Sequence, residues 1–368
     1  MKFSAQRETI LFPLQHVFGA VERKQTSPIL ANVLIQAKNG TLTMTGTDNE
    51  IEMQATAELH IDLEGDLTVQ ARKLLDICKS LPEAARIDLE VSDGKVKFKS
   101  GRSRFVLATL PAKEFPMLKP LDNAQIVSLT AKALLHCISS TSFSMAQQDV
   151  RFYLNGMLLE ISSDRLSCVA TDGHRLAYSQ LSTDANPSDP VRAIIPRKSV
   201  SELQRLLGSV DDNEIVQLAI TQQHLQIQVG DVRLSSKLIE GRFPDYTRVI
   251  PIDGDKEITV DSNTLKAALT RASVVSSEKY RGVRLSLETG VLSISSNNPD
   301  QEEAVDEMEV EYSGEKAEIG FNVTYLLDVL NSVTTENVRI LLKDGNSSAL
   351  VMPEDTNDSK YVVMPMRL

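Results

Sequence analysis

Thr171-Asp-Gly-His-Arg-Leu-Ala177 lies between two alternating runs, 166–171 and 174–178. An Asp-Gly pair so placed is the strongest short-range signal of a hairpin, because a two-residue turn needs positive φ. Thr171, Asp172, His174 and Arg175 also fall within five residues. Such polar density suits a catalytic site, a binding surface or an ordinary turn.

The rest of the chain decides what kind of hairpin this is. Before it, a helical pattern at 131–145 leads into the run 151–160 and a strand at 165–171. After it come a strand at 191–196, a helix at 197–207, and strands at 215–220, 225–229 and 233–238. The first 110 residues read the same way: strand 1–3, helix 7–20, runs at 28–37, 41–47 and 50–59, strand 66–70, helix 71–80, then strands 86–91, 95–99 and 104–110. A third copy starts at 257, with helices at 262–274 and 323–333, strands at 282–287 and 291–295, and further strands to 363.

Landmarks recur at a nearly constant offset. Thr47-Asp48 precedes Thr171-Asp172 by 124 positions, and Ser296-Asn297 follows by 125. Arg72-Lys73 matches Arg197-Lys198 at 125, Phe115-Pro116 matches Phe243-Pro244 at 128, and Leu74-Leu75-Asp76-Ile77 is echoed by Leu326-Leu327-Asp328-Val329. The agreement predicts three copies of one domain, 1–122, 123–251 and 252–368, each a doubled strand-helix-strand-strand-strand unit. Strands outnumber helices and are joined by short turns, so the expected class is α+β with antiparallel sheets. Repeated domains with open sheet edges either stack into an array or close into a ring.

The bulk chemistry narrows the function. At 368 residues, two or three domains are expected. A net charge of −11 argues against a surface that wraps nucleic acid tightly, though not against a local basic patch. Cys78, Cys137 and Cys168 are odd in number and far apart, which argues against a disulfide framework and a zinc cluster and favours a reducing compartment. No apolar run approaches the length of a membrane span, and the first residues carry no signal-like apolar region, so a cytoplasmic protein is expected.

No phosphate-cradling P-loop, dinucleotide fingerprint, H-E-x-x-H or G-x-S-x-G occurs, and no cofactor is implied. The histidines, at 16, 60, 136, 174 and 224, suit no metal site. His174 with Asp172 is the one acid–base candidate, and a structural or partner-binding role outweighs it. The basic pairs Arg23-Lys24, Arg72-Lys73, Arg197-Lys198, and Lys279 with Arg281 sit at or just after predicted helices. If equivalent positions face inward in a ring, these pairs offer a sequence-independent path for a phosphate backbone. Arg151-Phe152-Tyr153 sets rings beside a charge. The last residues, 361–368, are apolar and Met-rich. They fit either a docked last strand or an adaptable apolar lip.

Several motifs together resemble the bacterial DNA polymerase III β subunit family, the sliding clamps, over the whole length. They are L-T-M-T-G-T-D ending at Asp48, Gly101-Arg-Ser-Arg-Phe105, Gln148-Asp-Val-Arg-Phe-Tyr-Leu-Asn-Gly156, the opening stretch, Gly241-Arg-Phe-Pro-Asp-Tyr246, Gly320-Phe-Asn-Val323 and Met364-Pro-Met-Arg-Leu368. The resemblance implies a non-catalytic, head-to-tail homodimeric ring around double-stranded DNA, with helices lining the hole and sheets outside, in the bacterial cytoplasm at the nucleoid.

It also implies a groove for short peptides of the polymerase III catalytic subunit, the clamp loader, other DNA polymerases and repair proteins. One wall would be Leu154, Thr171, Gly173, His174, Arg175 and Leu176. The other would be Pro244, Arg248, Val249, Val362, Val363, Met364, Pro365, Met366 and Arg367. DNA-facing positions would be Lys24, Gln148, Phe152, Tyr153, Arg197 and Lys198, beside the Arg72, Lys73 and Arg151 already noted; Lys24 and Phe152 replace a commoner Arg and Tyr. The subunit interface would set Phe105 against Val274 and Val275, with Arg102 and Arg104 facing the acidic run of Asp300, Glu302 and Glu303. Two other readings compete: a peptide-binding repeat scaffold that never encircles DNA, and a hydrolase using His174 and Asp172.

Overall fold

In a computed structural model, residues 1–21, 27–92, 94–277 and 279–367 are described. Six α-helices are found among them, and each follows one strand and precedes three. Arg7–Val17 and Ala71–Ser80 serve the first third of the chain, Ala131–Thr141 and Arg197–Leu207 the second, and Ser262–Val275 and Val323–Ser332 the third. One short strand, Ile61–Leu63, is extra to this pattern.

All strand pairs are antiparallel, and the helices bury one apolar stripe each, Leu74, Leu75 and Cys78 in the second. The class is α+β, built from three tandem copies. Strands Glu303–Glu309 and Ala317–Asn322 complete the third copy. The first of these was hidden in sequence because it reads as an acidic run. Helix Ala131–Thr141 also ends early: 142–144 tighten into a 3₁₀ turn, and so do 152–155, where an extended run was expected.

Contacts divide the chain into two compact units, residues 1–132 with 198–238 and residues 133–197 with 239–368. The middle third is therefore shared between them, and strand pairing is the cause. In the first unit, Val232–Lys237 pairs with Ile51–Glu58, fusing two copies into a sheet of 13 strands. In the second, Arg175–Ser182 pairs with Ser359–Val363 inside a sheet of eight, and four further strands form a separate sheet. The last described strand is thus an interior one, flanked by Arg175–Ser182 and Ala349–Pro353. Its alternation is strict. Tyr361 and Val363 enter the core with Ile258, Leu269 and Phe321, while Val362 enters the opposite one with Leu176, Tyr178 and Phe243.

The corner that opens the sequence argument is longer than a two-residue turn. Thr171 pairs with Leu176, and Gly173 alone among the intervening residues has positive φ, +87°. Thr171 Oγ1 donates to the Arg175 carbonyl at 2.6 Å and accepts from Gly173 N at 3.1 Å. Asp172 Oδ1 accepts from His174 N and Arg175 N at 2.9 and 3.0 Å. The first copy repeats this bond for bond: Thr47 Oγ1 to Ile51 O at 2.8 Å, Asn49 N to Thr47 Oγ1 at 3.1 Å, and Glu50 N and Ile51 N to Asp48 Oδ1 at 2.9 Å each. Asn49 holds the positive φ there, +74°. In the third copy Ser296 Oγ donates to the Ala272 carbonyl instead, and Asn298 Oδ1 organises a longer loop.

Side-chain acceptors for backbone N–H groups thus make the corner, so Asp172→Ala and Asp48→Ala should each lower stability by about 1–2 kcal/mol. The Asn variants, which keep the acceptor, should recover most of it. Urea unfolding curves that do not move would refute this account of the corner.

Candidate functional site

A recess of about 190 Å³ opens beside this corner in the second unit. Leu154, Leu176 and Val362, each almost fully buried, form its apolar floor. Thr171, Gly173 and Arg175 border it on the hairpin side, and Pro244, Val249 and Met364 on the other. Nine of the expected wall residues are therefore brought together. Arg151, Tyr153 and Tyr246 line it as well. Tyr246 was missed as a wall residue, although its motif, Gly241–Tyr246, is one of those that carry the family resemblance.

The remaining expected wall residues sit elsewhere. Val363 faces the opposite core because neighbours on a strand alternate. Arg248 is exposed and pairs with Asp245 at 2.9 Å. His174 is exposed, and its carbonyl accepts from Met364 N at 3.0 Å. Met366 N donates to the Gly320 carbonyl at 2.7 Å, so Pro365 lies on a tail pinned at both ends, with Arg367 exposed beyond. Both oxygens of Asp172 are engaged, Oδ1 by backbone and Oδ2 by Arg175 Nε at 3.1 Å, so this carboxylate is committed to the corner and to Arg175 and not to the His174 ring.

Two arginines clamp the corner. Arg175, expected as a groove wall, turns most of its side chain inward. Beyond Asp172, its guanidinium donates to Asp328 at 2.5 Å and to the Phe143 carbonyl at 2.9 Å. It also lies over the Tyr325 and Phe143 rings, at 4.5 and 5.4 Å from their centroids. Asp328 is the echo of Asp76 noted in sequence; Asp76 instead pairs with Arg72 on its own helix. Arg151 approaches from the recess side, donating to both oxygens of Asp149 at 3.0 and 2.8 Å. That pairing holds the Asp149 carboxyl down at about 2. A Cβ on Gly173 would stand 2.8 Å from the Arg151 guanidinium, so glycine at this positive-φ position leaves room for Arg151 where it lies.

The basic residues are held differently from copy to copy. Lys198 pairs with Asp48 and donates to the Ala20 carbonyl. Arg197 donates to the Met145 carbonyl at 2.8 Å, and partial burial beside Arg175 lowers its pKa. Arg72 and Lys73 are exposed, Arg72 paired with Asp76. Gln148 has positive φ, and Phe152 is exposed. Tyr153, on the 3₁₀ turn, is half-buried: it packs against the core cluster and lines the recess. Lys24, with Arg23, lies outside the described residues.

Among the open strand edges of the described residues, two carry opposite charge. Residues 103–108 pair only with Lys95–Ser100, because contact with Gly65–Gln70 is limited to Thr109 and Leu110. Arg102 and Arg104 are exposed there, and Phe105 is half-buried. In the second unit, Glu303–Glu309 is the outer strand of its sheet, with Glu303, Val305, Glu307 and Glu309 exposed. Asp300 and Glu302 occupy the loop before it. Val274 and Val275 close helix Ser262–Val275, Val274 being exposed. Arg271 of that helix binds Asp306.

Arg175→Ala leaves Asp172, Asp328 and a carbonyl facing an empty, mostly buried site, and should cost about 2–4 kcal/mol. Arg175→Lys keeps the charge but loses the planar fork, and should recover less than half of that in the same unfolding measurement. Full recovery by Lys would show that charge alone is needed.

Three family models match in succession: DNA polymerase III beta subunit N-terminal domain over 1–119, central domain over 128–245 and C-terminal domain over 247–367. The chain is similar to the beta sliding clamp of Pseudomonas putida, 50% identical with 100% of both chains covered. Among solved structures it is similar to the DNA polymerase III subunit beta of Pseudomonas aeruginosa, at 49% identity, with 100% of both chains covered and a TM-score of 0.96. It is equally similar to the sliding clamp of that organism bound to griselimycin, at 50% identity, again with 100% of both chains covered and a TM-score of 0.96. Bond-for-bond repetition of the corner, the doubled units and these matches agree: the chain belongs to the DNA polymerase III beta subunit family, the non-catalytic beta sliding clamps.

Proposed function

We propose that two copies of this chain close head to tail into a ring around duplex DNA and tether the replicative polymerase to it. Each copy contributes three domains, 1–122, 123–251 and 252–368, with helices lining the hole. The observation that carries this reading is the pair of open strand edges of opposite charge. The edge at 103–108 carries Arg102 and Arg104 beside Lys95, Lys97 and Lys99; the edge at Glu303–Glu309 carries Glu302, Glu303, Glu307 and Glu309. Each fits the other and not itself, which favours heterologous over isologous pairing. Phe105 then meets Val274 and Val275 of the other copy.

A ring holds DNA by topology, so it needs only weak, sequence-independent contacts. A net charge of −11 is compatible with that and poorly compatible with tight wrapping. Arg72, Lys73, Arg197, Lys198, Lys24, Gln148, Arg151 and Phe152 are the residues assigned to those contacts, in the cytoplasm at the nucleoid. Tyr153 is assigned to them as well and also lines the recess. That recess, apolar with two guanidiniums at its edge, is the docking site for short peptide segments of the polymerase III catalytic subunit, the clamp loader, other polymerases and repair proteins.

Glu303→Lys with Glu307→Lys should weaken the dimer at least tenfold in sedimentation, and Arg102→Glu with Arg104→Glu should restore it in mixed samples. Loaded protein should stay on circular DNA and leave when the circle is cut. Equal loss from circular and linear DNA would favour a peptide-binding scaffold. Truncation after Val363 should abolish binding of polymerase peptides while the dimer survives.

A further inference from the structure

The recess has one wall that is not part of a sheet. Residues 239–250 cross the face of the eight-stranded sheet and contribute Pro244, Tyr246 and Val249 to it. Apolar contact fixes this strap at Phe243, which is 2% exposed, and at its ends, where Ile239 and Ile250 pack against the same cluster. Beyond Phe243, the 3₁₀ turn Tyr246–Arg248 is mostly exposed, and one polar contact holds its ring.

That contact comes from the sheet face that the strap crosses. Glu160, on strand Gly156–Ile161, accepts from the Tyr246 hydroxyl through Oε2 at 2.6 Å. Its Oε1 faces Arg192 of the neighbouring strand at 3.6 Å. The carboxylate side chain is 21% exposed, so the bond is shielded on most sides. Tyr178 stacks on Tyr246, with ring centroids 5.6 Å apart, and its own hydroxyl goes to Gln180 at 2.6 Å. One face of the ring is therefore packed, its hydroxyl is tied down, and the rest of it borders the recess.

We infer that Glu160 is a positioning residue for peptide docking: by anchoring the Tyr246 hydroxyl it fixes the strap that forms the movable wall of the recess. Glu160 does not line the recess and touches no docked ligand; it acts through Tyr246. Without the anchor the ring keeps its stack on Tyr178 but the strap samples wider positions, and apparent affinity falls in proportion to the closed fraction. The inference rests on the recess being the docking site.

Griselimycin, the ligand of the Pseudomonas aeruginosa relative, is a suitable probe, measured by calorimetry on the full-length dimer. Tyr246→Phe and Glu160→Ala should each weaken it about fivefold, the loss expected for one shielded hydrogen bond. The double variant should lose no more than either single one. Glu160→Gln, whose amide oxygen still accepts, should bind within about twofold of the parent. Dimer mass and the unfolding midpoint of Tyr246→Phe should stay unchanged, a pattern that general destabilisation would not give. Single variants that bind as the parent does, or losses that multiply in the double, would overturn the inference. Leu176→Asp separates the two readings. If it abolishes binding while Tyr246→Phe binds as the parent does, the docking site stands and the anchor falls. If Leu176→Asp binds normally, the docking site itself is wrong.

Discussion

Unpaired strand edges are the constraint on which this molecule depends. A domain made of doubled strand-helix-strand-strand-strand units ends in rows of free backbone N–H and C=O groups, and these invite pairing. Two such edges are closed within the chain, by Val232–Lys237 on Ile51–Glu58 and by Arg175–Ser182 on Ser359–Val363. The pairings are continuous sheet, with the hydrogen bonds and alternating cores of any other strand neighbours. Contacts therefore group residues across the repeats and not within them, and the middle copy is divided between two units. Among the edges that remain open, 103–108 and Glu303–Glu309 carry opposite charge.

Closing an edge inside the chain also creates the recess. Val362 is interior because its strand is paired on both sides, and its alternation with Tyr361 and Val363 commits it to the face shared with Leu158, Leu176 and Phe243. The chain beyond it has no strand to join and runs out through Met364, tied by backbone to His174 and Gly320. An apolar floor that ends where its sheet ends leaves a hollow, and the strap 239–250 covers only part of it. The recess is a consequence of the weld between copies.

The repeat was legible in sequence because it recurs: a corner made by Thr and Asp needs the same two residues each time, and Thr47-Asp48 and Thr171-Asp172 make identical bonds. Helix and strand positions followed from periodicity, with errors where a 3₁₀ turn or an acidic edge strand breaks the pattern, as at 152–155 and Glu303–Glu309. Side-chain direction was less legible. Arg175, Tyr153 and Val363 were each assigned by motif; the first borders the recess but is held inward by Asp328, the second borders it from a tight turn, and the third faces the opposite core by strand alternation. The partners responsible lie 153 residues away in the first case and 86 in the tie between Glu160 and Tyr246. Local spacing carries no trace of either.

The corners also show how a repeat acquires a site. In the first copy Asp48 spends its second oxygen on Lys198, and Ile51 stands where the middle copy has Arg175. In the middle copy Asp172 spends it on Arg175, whose guanidinium goes on to Asp328 and to the Phe143 carbonyl. One substitution at an equivalent position thus converts a closed turn into a strut that ties the hairpin to helix Val323–Ser332. Gly173, in place of Asn49, clears the space that Arg151 occupies. Backbone geometry is conserved between the copies because the Thr and Asp acceptors are the same. The recess belongs to one copy because its arginines, and the space they need, are not.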